Sequence, residues 1–116
     1  MTLAALMDLC RKLPHATEDV KWGNDLCFSI GGKMFAVFDA SGGTRFSLKT
    51  TPAVFSILTQ NEGILPAPYL ARYHWIMLEG PKVLPTTQIQ ELIRESYHLV
   101  SLGLPAKVRR QMVSSE

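Results

Sequence analysis

Lys33, Arg45, Lys49 and Arg72 fall in the middle of the chain, where short apolar runs alternate with turns, and His74 follows closely. Cations grouped on one exposed face are what phosphate recognition requires, because each neutralised phosphate releases condensed counterions. Lys107, Arg109 and Arg110 form a second basic group farther on. The plain alternative is that these charges are solvated and compensated by Asp25, Asp39 and Glu79. Trp22 and Trp75 offer flat rings on which a base could stack. Large aromatics beside Gly23 and Ile76 are read first, though, as filling the edge of a core.

Other chemistries find less support in the residue pattern. His15, His74 and His98 form no HxH or HExxH spacing, so no metal site is expected. Cys10 and Cys27 form no CxxC pair. They are expected to be free thiols, with Cys10 a small buried hydrophobe on a helix stripe. Ser47 and Ser96 lack the GxSxG context of an activated serine. Gly31-Gly32-Lys33 is too short for a phosphate loop, and a hairpin turn explains it. Glu18 and Asp19 are adjacent and seldom converge on one reacting atom, so a cap or turn role is expected. No nucleophile, base and orienter can be assembled, and the chain is not expected to be an enzyme.

The elements that must position these residues come from a chain of 116 residues, read as a single domain over 1–116. Hydrophobic content of 47% with 19% charged residues places it among globular proteins. A net charge of +2 is too small to drive strong nucleic-acid binding by itself, so local clustering must carry that case. No apolar run approaches the roughly 20 residues a membrane-spanning helix needs. The first residues lack a signal peptide's basic start and cleavage site, which points to the cytoplasm.

Thr2 can cap a helix with Leu3, Leu6, Met7, Cys10 and Leu13 at helical spacing, stopped by Pro14. Strands are predicted over 26–30, 33–38 and 45–49. The Gly31-Gly32 link implies a two-residue hairpin pairing Phe28 with Phe35 and Leu26 with Val37. That register sends Leu26, Phe28, Phe35 and Val37 to the core, with Phe46 and Leu48. Cys27, Ser29, Met34, Ala36 and Phe38 then face the other way. Thr51-Pro52 opens a short helix to about Thr59. Leu65-Pro66-Ala67-Pro68 is neither helix nor central strand, and 74–78 is a strand. Thr86 or Thr87 caps a helix carrying Ile89, Leu92, Ile93, Tyr97 and Val100, with Thr87 and Gln90 as a capping box. Gly103 ends that helix, and Pro105 opens a last one. The pattern predicts an α+β fold, a single mostly antiparallel sheet with the helices at 2–13 and 87–101 on one face.

A series of local clusters resembles the MmcQ/YjbR family over roughly residues 3–110. It runs through Leu13-Pro14, Trp22-Gly23, Gly32-Lys33-Met34-Phe35-Ala36 and Ser47-Leu48-Lys49. It continues through Pro66-Ala67-Pro68-Tyr69-Leu70-Ala71, His74-Trp75-Ile76, Ser96-Tyr97 and Leu104-Pro105. The resemblance implies a CyaY-like α+β fold and DNA binding through a double-wing arrangement. Ala106 stands where the family often has a lysine. The iron site of frataxin-type proteins is not carried over, since the first helix offers only Asp8.

Three functions remain in view. The leading one is a DNA-binding module using Lys33, Arg45, Lys49, Arg72, His74, Lys107, Arg109 and Arg110, weak, sequence-tolerant and salt-sensitive. Four phosphates neutralised would give a slope of log affinity against log salt near −3.6 on duplex. The second is a small-molecule protein with Met34, Phe38 and Trp75 as an apolar floor and Lys49 or His74 as polar handle. The third is a protein–protein adaptor using an open sheet face. No cofactor, metal or membrane partner is expected.

Overall fold

The computed structural model describes residues 2–114. Helix α1 (Leu3–Lys12) starts where the Thr2 hydroxyl accepts from the Ala5 amide at 3.2 Å. Strands β1 (Thr17–Lys21), β2 (Asp25–Ile30), β3 (Lys33–Asp39) and β4 (Phe46–Lys49) follow. Helix α2 (Pro52–Leu58) is capped by Thr51, whose hydroxyl accepts from the Val54 amide at 3.2 Å. Then come β5 (Ile64–Pro66), a 3-10 turn at Ala71–Tyr73, β6 (Trp75–Leu78), α3 (Thr86–Leu102) and α4 (Ala106–Ser114). Thr87 is not the cap residue that the sequence suggested. α3 begins directly after Pro85, whose side chain can donate and accept nothing.

The six strands form one sheet in the order β1-β2-β3-β4-β6-β5, every neighbour antiparallel. Two of them were not anticipated. β1 carries Thr-Glu-Asp-Val-Lys, almost wholly exposed, so no apolar alternation marks it. Charged side chains suit an edge strand, which must resist pairing with a stray chain. β5 occupies the opposite edge, where Pro66 is tolerated. Glu18 and Asp19 are therefore strand residues rather than a cap. Glu18 hydrogen-bonds Arg11 of α1, which holds its carboxyl below the usual range.

The β2–β3 hairpin departs from the expected register. Ile30 pairs with Lys33 as anticipated, but a bulge between Phe28 and Ser29 then shifts the ladder. Phe28 faces Ala36, Cys27 faces Val37 and Leu26 faces Phe38. One extra residue on β3 reverses the facing of everything beyond it. Phe38 and Ala36 consequently lie in the core, and Val37 lies half-buried on the open face. Phe35 remains inside as expected, its ring edge-on to Tyr97 at 5.3 Å. Phe38 stacks on Phe46 at 5.3 Å and meets Phe28 edge-on at 5.8 Å.

Both long helices cover the same sheet face. Leu6 and Cys10 of α1 and Ile89, Leu92, Ile93 and Val100 of α3 join Phe28, Phe38, Phe46, Leu48, Ile76 and Leu78 in one core. The Tyr97 hydroxyl donates to the Pro14 carbonyl at 2.6 Å and ties α3 to the end of α1. Among the described residues, no helix is long and apolar enough to cross a membrane.

Cys10 and Cys27 are buried free thiols, Cys10 beneath α1 and Cys27 toward the open face, with the sheet between them. Burial pushes the Cys10 thiol up to about 12 from 9.0. Burial likewise raises Cys27, with Lys21 opposing and Asp25 and Asp19 adding to the effect. A folded-state value above the unfolded one gives stability that is present below the unfolded value and lost as pH rises toward the folded one. From pH 8 to pH 10 the unfolding free energy should fall by about 1.4 kcal/mol through Cys10. Urea titrations of wild type and Cys10→Ala check this, the variant losing less over that interval.

Candidate nucleic-acid interface

Ser96 opens the site. Beyond Ala36–Leu48, the last of three pairs that begin at Phe38–Phe46, β3 and β4 are no longer paired. The Ser96 hydroxyl of α3 stands in the gap, accepting from the Lys49 amide at 2.9 Å and donating to the Phe35 carbonyl at 2.6 Å. A side chain thus replaces a rung of the ladder between β3 and β4, satisfying groups that burial would otherwise penalise. The Ser96-Tyr97 pair was visible in the sequence, but nothing there signals that its hydroxyl bridges two strands.

Past this splay lies a hollow of about 290 Å³, lined by Lys33, Met34, Lys49, Tyr73, Trp75, Leu99, Val100 and Gly103. Its walls are the start of β3, the end of β4, the start of β6 and the last turn of α3. Met34 lies opposite Ser29, on the turn side of the bulge, in the register the two-residue hairpin implies. Lys49 Nζ donates to the Tyr73 carbonyl at 2.9 Å and lies 6.0 Å from the centre of the Tyr73 ring. The Arg72 guanidinium lies 4.8 Å from that same ring centre. Lys49 and Arg72 thus lie against the Tyr73 ring, Lys33 lines the same hollow as Lys49, and no carboxylate lines it among the described residues.

Lys107, Arg109 and Arg110 are exposed on α4. This helix abuts the β2–β3 turn. A Cβ on Gly31, at φ +59, would stand 2.8 Å from both Leu104 methyls and 3.2 Å from the Met112 methyl. The basic helix thus adjoins the same end of the sheet as Lys33.

The remaining candidates lie elsewhere. Arg45 stands just before β4, four residues from Lys49 and about 13 Å away at strand spacing. It lines a different hollow with Asp25 and Asp39. Hydrogen bonds from the Ser41 hydroxyl and amide hold the Asp39 carboxyl below its usual range. His74, left-handed at φ 66, sets its ring edge-on to Phe55 of α2 at 5.7 Å. Phe38 belongs to the core and cannot floor an open site. Trp75 fills the core edge as expected, only 5% exposed. Trp22 does not: it is 73% exposed in the β1–β2 turn at φ 50. A third hollow, between α2 and α3, has Val54, Ile57 and Leu92 as floor with Glu91 and Glu95 in its lining. Among the described residues, no group of three or more His, Cys, Asp and Glu could hold a metal ion.

These observations define an α+β protein with one antiparallel sheet, helices on one face and a cation-lined recess at one end. The chain belongs to the YjbR family, whose model matches residues 11–99. It is 30% identical to "Uncharacterized protein YjbR" of Escherichia coli strain K12, over 97% of this chain and 98% of that one. The crystal structure of Deinococcus radiodurans protein DR2400, of domain family DUF419, superposes with a TM-score of 0.86 at 29% identity. That match covers 96% of this chain and 87% of the other. A protein from Pseudomonas syringae shares the fold, with a TM-score of 0.69 at 23% identity over 86% of this chain and 99% of its own.

Proposed function

We propose that this protein is a non-enzymatic nucleic-acid-binding module of the cytoplasm whose contact site is the recess around Tyr73. The observation that carries the reading is the placing of Lys49 and Arg72 against one half-exposed tyrosine, with Lys33 lining the same hollow and no carboxylate in its lining among the described residues. Phosphates meet the cations and a base meets the ring. The α4 cations extend the same positive end. Few charges take part, so binding is weak and sequence-tolerant, since phosphate contacts carry no base information.

A second reading has its own support. The hollow is concave and Met34 and Trp75 give it an apolar wall, which suits a small anionic aromatic ligand held by Lys49. Anisotropy of labelled DNA at low salt separates the two. Wild type should bind, Lys33→Ala and Lys49→Gln should each weaken binding several-fold, and Arg45→Ala should leave it unchanged. An Arg45→Ala loss as large as that of Lys49→Gln would move the site to the other end of the sheet. No binding by wild type would leave the small-ligand reading in its place.

A further inference from the structure

We infer that the strand taken by this recess is single, with an unpaired base stacked on Tyr73, and that duplex is the poorer ligand. The inference rests on the nucleic-acid reading above and adds the class of ligand.

Reading a duplex groove takes a protruding element, a helix or a two-stranded ribbon that enters the major groove of about 12 Å. None of the β1–β2, β2–β3 and β3–β4 turns offers a cluster of basic residues at its tip; the β3–β4 turn carries Arg45 alone, in a hollow shared with Asp25 and Asp39. The β2–β3 turn, next to Lys33, is covered by Leu104 and Met112, so close that Gly31 has no room for a side chain. The β1–β2 turn is uncovered at Gly23, but Asp25 stands directly across from its Lys21 and Asp19 lies two residues back on the same strand. The cation at the centre of the recess, Lys49, is half-buried and bonded to the Tyr73 carbonyl, so it sits back from any flat or convex surface.

Tyr73 itself is built as a platform. The residue is 48% exposed while two hydrogen bonds hold its backbone and a third holds that of the next residue. The Tyr73 amide donates to Leu70 at 3.0 Å, its carbonyl accepts from Lys49, and the following His74 amide donates to Ala71 at 2.9 Å. A rigid ring flanked by cations stacks any base, because every base has a π face. Tyr69 stands on the same segment, 99% exposed and left-handed at φ 65. A bulky residue in that conformation costs stability and contributes no packing here, and a neighbouring base supplies it with a partner.

The test compares a labelled single strand of about ten nucleotides, a duplex of the same length and a free nucleoside monophosphate at one low salt concentration. The single strand is expected to bind at least tenfold tighter than either. Tyr73→Ala should lower single-strand affinity by about 5- to 150-fold, the range for loss of one base–aromatic stack, while Tyr73→Phe keeps most of it. Unchanged thermal melting of both variants confirms that the ring, not the fold, was lost. Duplex bound as tightly as single strand, or Tyr73→Ala without effect, overturns the inference and leaves the nucleic-acid reading standing. Mononucleotide bound as tightly as the oligonucleotide overturns the strand in favour of a small ligand. No binding of any of the three overturns both.

Discussion

Replacing Phe38 with alanine is expected to lower the unfolding free energy by about 3–5 kcal/mol. The ring is 1% exposed, stacks on Phe46 and meets Phe28 edge-on, so its removal leaves a cavity bounded by two other rings. Val37→Ala, next in sequence but on the open face, should cost about 1 kcal/mol or less. Paired urea titrations decide the matter. A large loss at Val37 with a small one at Phe38 would restore the unbulged hairpin register and contradict the sheet described here.

That contrast marks what the sequence could reveal. Helix starts were legible because Thr2 and Thr51-Pro52 act through local backbone groups. The hairpin turn was legible at Gly31-Gly32, and Phe46 and Leu48 alternate cleanly on β4. The bulge was not, since Phe35 and Ala36 are both apolar and no residue type announces that one is extra. The edge strand β1 hid behind its charges. Lys33, Lys49, Met34 and Trp75, which line the recess, and Arg72, which lies against Tyr73, were all among the sequence candidates, but their grouping depends on how β3, β4 and β6 end together. Tyr73 was missed. Its signal was position alone, between Arg72 and the His74-Trp75 pair. Arg45, expected on a strand with Lys49, stands just before β4 instead, four residues from Lys49 and beside Asp25 and Asp39.

Ser96→Ala is the second large effect. The hydroxyl is fully buried and serves two backbone groups, and its loss orphans the Lys49 amide and the Phe35 carbonyl. The expected cost is about 1–3 kcal/mol for each group left unsatisfied. A structural serine elsewhere on α3 would lower stability uniformly. Here the Lys49 amide should also exchange with deuterium faster in the variant than its neighbours in β4 do. Because β3 and β4 splay around this hydroxyl, the variant should also weaken nucleic-acid binding. Unaltered stability with an unaltered Lys49 exchange rate would remove Ser96 from its bridging role.

The most direct test of the central claim is the slope of log affinity against log salt for a single-stranded oligonucleotide. Three cations at the recess, Lys33, Lys49 and Arg72, predict a slope near −2, at about −0.7 per phosphate neutralised on a single strand. Replacing Lys33 and Lys49 together should flatten it by about 1.4, while Arg45→Ala leaves it as it was. A slope that the double replacement does not change, or that Arg45→Ala flattens instead, contradicts the placement of the site in the recess.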